Sequence, residues 1–242
     1  MCIRDRLWTW GANDNGSLGN NNRTQYSSPI QVPGTTWSSS GSHKVTTHHN
    51  NGMSAIKTDG TLWVWGKNTN GVLGINSPVN TRYSSPVQIP GTTWANLDIG
   101  DYGVDVFATK TNGTLWSWGY NSVNGKGSLG QNNNGVPYSS PTQIGTGTDW
   151  ATGDGKLAAG NKNAGAIKTD GTLWMWGSNQ YGMTGQNENG IAHSSPTQIP
   201  GTWDTLDIGG YLTWAQKTDG TQWAWGRGDN GNMGQNDIVD RS

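Results

Sequence analysis

Short apolar runs alternate with polar, glycine-rich segments along the whole chain. In the run Thr61–Trp65, the two tryptophans share one face of an extended strand, while Leu62 and Val64 share the other. Both faces are large and apolar, which is typical of a strand inside a stack of sheets. No stretch free of both Gly and Pro exceeds 10 residues, and Gly costs about 1 kcal/mol and Pro about 3 kcal/mol inside a helix. The pattern therefore predicts an all-β chain.

Three signatures recur with a period near 50 residues. The pattern Leu/Gln-Trp-x-Trp-Gly contributes the second tryptophans Trp10, Trp65, Trp118, Trp176 and Trp225. The pattern Ser-Ser-Pro-x-Gln begins at Ser27, Ser84, Ser139 and Ser194. A Gly-Thr pair leads closely to Trp37, Trp94, Trp150 and Trp203. Repetition at this period indicates stacked units such as the blades of a propeller.

Each unit is predicted to contain four short antiparallel strands. In one full copy these are Trp94–Gly100, Val104–Thr111, Thr114–Gly119 and a strand around Thr142–Ile144. The second and third strands are joined by an Asx-Gly pair in each copy, at Asp59-Gly60, Asn112-Gly113, Asp170-Gly171 and Asp219-Gly220. Such pairs are the strongest short hairpin signal and favour a type I′ turn, whose two central residues both need φ > 0.

The third strand is followed by a loop of the form Asn-x-x-Gly-x-Leu/Met-Gly, as in Asn68–Gly74, whose Leu or Met we expect to plug into the core. Of the 15 tryptophans, 14 belong to the recurring signatures, so we expect them to be framework residues packed in the core. The exception is Trp214. It stands where other copies have Ser54, Phe107 and Gly165, and we expect either core infill or a surface anchor there.

The combined motif resembles a known repeat. Lys-Thr-Asp-Gly-Thr-Leu-Trp-x-Trp-Gly-x-Asn-x-x-Gly-x-Leu-Gly, followed by Ser-Ser-Pro-x-Gln-Ile, resembles the regulator-of-chromosome-condensation repeat in its Trp-rich bacterial version, from Leu7 to about Asp237. The resemblance implies a β-propeller, typically of seven four-stranded blades. One departure is that the family's frequent His before the second strand is absent, and the place is taken by Gly52, Asp105, Asn163 and Leu212.

The repeat count predicts an incomplete ring. Residues 1–6 fit no part of the repeat, and we interpret them as a non-native leader. We interpret residues 7–242 as a single β-propeller domain truncated mid-repeat at both ends. Counting the copies gives 17 strands, which is about four blades of four strands plus a remnant.

Composition narrows the possible partners. Lys+Arg 15 against Asp+Glu 16 gives a net charge of −1, which disfavours nucleic-acid binding because affinity there comes mainly from neutralised phosphates. A membrane-inserted helix would need about 20 apolar residues in a row, and the chain has no such run. The single Cys2 cannot form an internal disulfide or a thiolate metal site.

Several local motifs invite a chemical interpretation that their context does not support. The G-x-G-x-x-G match at 125–130 lacks the strand and helix that a dinucleotide site needs. The sequences Asp14–Gly16 and Asp229–Gly231 carry too few carboxylates for a calcium loop. We interpret three neighbouring histidines as a loop cluster rather than a zinc site, namely His43, His48 and His49. We predict no catalytic residue, no metal and no cofactor.

The leading hypothesis is a non-catalytic propeller that binds another protein through its blade loops, where propellers concentrate function. Tyr and Arg are enriched at binding hot spots, so the copy-variable Tyr120, Tyr181 and Arg227 are the candidate contacts, with Trp214 as a further one. One alternative is a cell-surface glycan-binding module that uses Trp214 and the tyrosines. Another is the accessory propeller of a larger enzyme. Neutral charge and a high Asn, Gly, Thr and Ser content favour an extracellular or cell-surface bacterial setting.

Overall fold

The computed structural model describes residues 5–38, 44–48, 52–102, 104–121, 127–229, 231–234 and 237–242. Its strands form five antiparallel sheets, which we number blades 1 to 5 in chain order. Blade 1 contains β1 (Trp8–Gly11) and β2 (Tyr26–Gln31). Blade 2 contains β3 (Val45–His48), β4 (Gly52–Ile56), β5 (Leu62–Lys67) and β6 (Arg82–Gln88). A 3₁₀ turn at Thr69–Gly71 lies between β5 and β6.

The remaining blades follow the same plan. Blade 3 contains β7 (Trp94–Ile99), β8 (Asp105–Lys110), β9 (Leu115–Gly119) and β10 (Tyr138–Gln143). Blade 4 contains β11 (Leu157–Ala159), β12 (Asn163–Ile167), β13 (Leu173–Gly177) and β14 (His193–Ile199). Blade 5 contains β15 (Trp203–Gly209), β16 (Leu212–Lys217) and β17 (Gln222–Gly226).

The sheets are arranged as propeller blades around a central axis. Strands within each full blade are hydrogen-bonded in the order first, second, third, fourth. The first strands β3, β7, β11 and β15 contact one another in series, so they line the axis and the fourth strands lie at the rim. Among the described residues no ladder joins blade 1 to blade 5, so this part of the ring is open. The all-β propeller, its four-stranded antiparallel blades and its open ring are confirmed.

The second tryptophan of each pair joins its blade to the preceding one. The Trp118 indole N–H donates to the Val72 carbonyl at 2.9 Å, and its ring lies on Gly74, where a Cβ would come within 2.6 Å of Nε1. Gly74 also has a φ of +66°. The same glycine–indole contact is repeated at the three other blade junctions, by Gly19–Trp65, Gly130–Trp176 and Gly185–Trp225. The last glycine of the loop motif is therefore a packing residue.

The Ser-Ser-Pro signature has a similar role at the rim. The Asn76 N–H donates to the Ser139 carbonyl at 2.8 Å, and the Ser139 hydroxyl donates to Asn76 Oδ1 at 3.0 Å. The signature lies inside the fourth strand, which begins at Tyr138 rather than near Thr142. A proline is tolerated there because the fourth strand is an edge strand, where one N–H needs no partner.

The predicted hairpins between second and third strands are present, but the predicted turn type is wrong. At Asp59-Gly60 only the glycine has a positive φ, of +77°, and its N–H donates to the Lys57 carbonyl at 2.9 Å. This is the geometry of a type I turn followed by a left-handed glycine. Asp59 instead uses its side chain, because its Oδ1 accepts hydrogen bonds from the Thr61 N–H and hydroxyl.

The expectation that all 14 periodic tryptophans lie in the core is only partly right. Trp65, Trp118 and Trp176 are fully buried. The first tryptophan of each inner pair is half-buried, at Trp63, Trp116 and Trp174, whereas Trp8, Trp10 and Trp223 are exposed by 46%, 60% and 49%. A lysine covers two indoles in every blade from 2 to 5, and these lysines are Lys57, Lys110, Lys168 and Lys217.

Candidate functional site: the upper face

The antiparallel order brings the loops after each first and third strand to one face of the propeller, which we call the upper face. The residue after each third strand is fixed there by its backbone. The Tyr120 N–H donates to the Val104 carbonyl at 2.9 Å, and the Arg227 N–H donates to the Tyr211 carbonyl at 3.0 Å. Tyr120 and Arg227 therefore occupy equivalent places in blades 3 and 5.

A buried asparagine holds each of these loops in blades 1 to 4. Asn68 Nδ2 donates to the Ser77 carbonyl at 3.0 Å, while its Oδ1 accepts from the Leu73 N–H at 3.1 Å. Equivalent buried residues are Asn13, Asn121 and Asn179. Sequence reasoning did not assign this role, although the signal was available, since an Asn recurs at the same place in four copies. In blade 5 that place is taken by Gly228.

At the junction of blades 4 and 5, four side chains form a compact group that we call the Arg227 cluster: Tyr181, Tyr211, Arg227 and Asp229. The Arg227 guanidinium carbon lies 5.0 Å from the Tyr181 ring centroid and 5.7 Å from that of Tyr211. The two rings meet edge to face at 5.2 Å. Arg227 also forms an ion pair with Asp229 at 2.5 Å. The guanidinium is therefore held by two aromatic rings and one carboxylate.

At the junction of blades 2 and 3, and bounded on its other side by blade 4, the same face contains a cavity of about 330 Å³ that we call the tyrosine pocket. Its walls and floor are formed by Asn70, Gly100, Tyr102, Val104, Asp105, Tyr120, Gly160 and Lys162. Tyr102 and Tyr120 are 52% and 43% exposed, so their rings are available at its mouth. The two lining glycines are packing residues, since a Cβ would come within 2.8 Å of the Gly160 carbonyl oxygen at Gly100 and within 2.4 Å of Ile208 Cγ2 at Gly160.

The tyrosine pocket has an unusual electrostatic environment. Asp105 is buried, and burial raises the pKa of its carboxyl above the ordinary range, although a hydrogen bond from the Asn121 N–H to its Oδ1 opposes the rise. Partial burial also raises the pKa of the nearby Asp101. The only cation that acts on Asp105 among the described residues is Lys162, through its charge. This corner of the upper face therefore holds two desolvated carboxylates and one lysine.

The structure separates the residues that the sequence grouped. Tyr120 belongs to the tyrosine pocket, whereas Tyr181 and Arg227 belong to the Arg227 cluster two junctions away. Trp214 joins neither, because it lies half-buried in the middle of β16, opposite Asp207 and Ala224. Sequence reasoning missed Tyr102 and Tyr211. Their signal was their place in the loops between first and second strands, which meet the third-strand loops on this face.

The predicted histidine loop cluster is wrong for His48. It is the last residue of β3 and fully buried, and its Nε2 lies 2.6 Å from the Ser54 hydroxyl. Burial lowers its pKa to about 3. His43 and His49 lie outside the described residues, as do Gly125 in the glycine-rich match and Asn230 in the second candidate calcium loop. Within the described ranges, no three His, Cys, Asp or Glu residues group as metal ligands, and no helix is long and apolar enough to span a membrane.

Comparison with known proteins identifies the repeat. The profile of the regulator of chromosome condensation (RCC1) repeat matches residues 4–46 and 59–95, and a second profile of this repeat matches 156–182. The probable human E3 ubiquitin-protein ligase HERC6 is 26% identical over 221 residues, which is 89% of this chain and 21% of that protein.

Solved structures show the same fold. Human WBSCR16 superposes with a TM-score of 0.75 and 18% identity, over 98% of this chain and 61% of that one. Yeast RCC1 (Prp20) bound to Kap60 superposes with a TM-score of 0.74 and 17% identity, over 98% of this chain and 56% of that one. The chain thus spans about a fifth of the human ligase and less than two thirds of either solved chain. The resemblance to the regulator of chromosome condensation repeat is confirmed over the matched residues, and the chain folds as the β-propeller of these solved structures.

Proposed function

We propose that this chain is a non-catalytic propeller module that binds another protein through its upper face. The observation that carries the proposal is the presence of exposed tyrosines and an arginine on loops held by a rigid frame. Tyr102 and Tyr120 are both exposed to solvent, and Arg227 is partly exposed beside Tyr181. Rigid aromatic and arginine anchors contribute most of the energy in protein interfaces.

The relatives supply a second line of support. Yeast Prp20, which shares the fold, was crystallised in complex with the protein Kap60. The ligase activity in the name of HERC6 belongs to that protein, of which this chain matches 21%. An accessory role in a larger enzyme remains an alternative hypothesis, and a bacterial cell-surface setting remains a prediction from composition.

The glycan alternative has less support from the geometry. A sugar platform needs an open aromatic face with polar groups around it, whereas Trp214 is half-buried within its sheet and lies apart from the tyrosines. A screen of immobilised glycans with wild type and Trp214→Ala tests it. Saturable sugar binding that the substitution abolishes would favour this function over the protein-binding one.

Site-specific photocrosslinking tests the proposed face. A benzoylphenylalanine introduced at position 120 or 181 should crosslink the same protein from an extract of the source cells. The matched controls are positions 111 and 218, because Thr111 and Thr218 are exposed on the opposite face, beside the hairpin turns. A partner captured from both control positions and from neither upper-face position would contradict the proposal.

A further inference from the structure

The tyrosine pocket and the Arg227 cluster are equivalent places in the repeat. Asn70 and Tyr181 each precede the first glycine of a third-strand loop, before Gly71 and Gly182. Val104 and Tyr211 each accept the hydrogen bond that fixes the residue after the third strand. That residue is Tyr120 at the junction of blades 2 and 3, and Arg227 at the junction of blades 4 and 5. The backbone frame is shared, and the side chains differ.

At the junction of blades 4 and 5, the chain fills this place with its own guanidinium. Arg227 lies over the rings of Tyr181 and Tyr211 and pairs with Asp229. A guanidinium suits such a place because it is planar, stacks on aromatic faces and donates several hydrogen bonds at once. The cluster therefore shows which chemical group this frame accommodates when two tyrosines and a carboxylate surround it.

At the junction of blades 2 and 3, the aromatic and acidic groups are present without the guanidinium. Tyr102 and Tyr120 line the cavity, and the buried Asp105 carboxylate lies at its floor. Neither Asp105 nor the adjacent Asp101 has a Lys, Arg or His nitrogen within 4.0 Å among the residues that the structure describes. With Lys162 counted, the ionised groups around the pocket sum to one negative charge.

We propose that the tyrosine pocket receives an arginine side chain from the protein partner. The incoming guanidinium stacks on Tyr102 and Tyr120 and pairs with the Asp105 carboxylate. It thereby makes the same kinds of contact as Arg227, two tyrosine rings and one carboxylate, although Tyr120 itself stands at the place of Arg227. The inference rests on the proposed function, since it assigns the partner's anchor on the upper face. A partner that inserts an acidic side chain towards Lys162 instead is the competing outcome.

The test uses small probes on the intact chain, so it needs no identified partner. N-acetyl-argininamide is titrated into protein labelled with 3-fluorotyrosine, and the ¹⁹F signals are assigned with Tyr102→Phe and Tyr120→Phe. We expect saturable shifts at both tyrosines. The neutral isostere N-acetyl-citrullinamide should bind at least about tenfold more weakly, because it lacks the charge that pairs with Asp105. Equal binding of the two probes, or no saturable shift with either, would overturn the proposal.

Three variants sharpen the result. Tyr120→Ala should weaken the arginine probe by about tenfold, since a stacking contact is worth roughly that factor. Tyr181→Ala is the matched control in the Arg227 cluster and should leave probe binding unchanged. Lys162→Met should tighten binding about two- to fivefold, because it removes a like charge at the surface.

Weaker probe binding in Lys162→Met would mean that Lys162 does not repel the guanidinium, and the charge assignment of the pocket would be wrong. The two proposals can fail separately. If the probe does not bind but crosslinking from positions 120 and 181 succeeds, the proposal that the upper face binds a protein is supported. The proposal that the tyrosine pocket receives an arginine is then wrong. If the probe binds but crosslinking maps to the opposite face, the pocket binds a guanidinium and the proposal that the upper face binds the partner is wrong.

Discussion

The junction of blades 2 and 3 and the junction of blades 4 and 5 share one frame but present different surfaces. In both, a loop glycine packs on the second tryptophan of the following blade, as Gly74–Trp118 and Gly185–Trp225. Above that frame, one junction is filled by Arg227 and the other is an open cavity of about 330 Å³. The comparison teaches that the recurring residues build the blade junction, whereas the variable loop residues determine the surface above it.

The largest expected effect concerns the shared frame. Gly74→Ala and Gly185→Ala should each lower the free energy of unfolding by about 3 kcal/mol or more, because the methyl group needs a left-handed φ and overlaps an indole. Gly234→Ala is the matched control, since Gly234 has a φ of +65° and no atom of the described residues lies within 4 Å of the added Cβ. It should cost about 1 kcal/mol. Chemical denaturation measures all three, and equal losses would show that the indole contact is not what demands glycine.

A second prediction concerns how the buried Asp105 of the tyrosine pocket makes the stability of the chain depend on pH. Burial raises the pKa of Asp105 above its ordinary value of 3.8, so the folded chain holds this proton more tightly than the unfolded chain. Its contribution to the free energy of unfolding therefore falls as pH rises from about 3.8 through the folded pKa. Asp105→Asn should remove this decline and be more stable than wild type at pH 7, by about 1 kcal/mol. Denaturation curves between pH 4 and 7 measure the difference, and parallel pH profiles would refute it.

The hairpin turns provide a control of opposite sign. Hydrogen bonds from the Thr61 side chain and backbone lower the pKa of Asp59, so its contribution is present at neutral pH and is lost as pH falls through the folded pKa. Asp59→Asn should therefore change how the free energy of unfolding depends on pH below about 3.8. Asp105→Asn should change that dependence above about 3.8.

A third prediction tests whether the guanidinium stabilises its own junction. Arg227→Ala should lower the free energy of unfolding by about 1 kcal/mol, since it removes contacts with two tyrosine rings and a partly exposed ion pair. Tyr120→Ala at the equivalent place should change it by less than about 0.5 kcal/mol, because that side chain is 43% exposed at an open pocket. The idea fails if the tyrosine variant loses as much stability as the arginine variant.

The smallest effect on stability is expected from a substitution that gives the junction of blades 2 and 3 the arginine found at the junction of blades 4 and 5. Tyr120→Arg places a guanidinium at the residue equivalent to Arg227, beside Tyr102 and the Asp105 carboxylate. We expect the free energy of unfolding to stay within about 0.5 kcal/mol of wild type, while binding of the arginine probe is lost because the chain fills its own pocket. Unchanged probe affinity in this variant would show that the two junctions are not equivalent.

The frame could be predicted from the sequence because its signals are local. The alternation around Trp-x-Trp-Gly predicts the strands, and the Asx-Gly pairs predict the hairpins. The number of repeats predicts the number of strands. The turn type was misjudged because the Asp59 side chain, through its bonds to Thr61, stabilises a geometry that the Asp-Gly pair alone does not specify. The half-exposure of Trp63 was missed because alternation puts Trp63 and Trp65 on the same face and does not tell the end of the strand beside the hairpin turn from its buried middle.

The candidate site was harder to predict because it depends on contacts between blades. Tyr181 and Arg227 were recognised as variable positions, but their contact with Tyr211 depends on how two blades pack. The burial of Asp105 likewise follows from packing beneath the Tyr120 loop, which no local pattern records. Trp214 stood out because it broke the repeat, yet the structure does not place it with the tyrosines.

The most direct test of the upper face is the affinity of the crosslinked partner for two triple variants. One carries Tyr120→Ala, Tyr181→Ala and Arg227→Ala. The other carries Thr58→Ala, Thr111→Ala and Thr218→Ala on the opposite face, where all three threonines are exposed. Measured by titration calorimetry, the first should bind at least about 100-fold more weakly than wild type, and the second should stay within about twofold. Equal affinities of the two variants, or a loss confined to the threonine variant, would contradict the account.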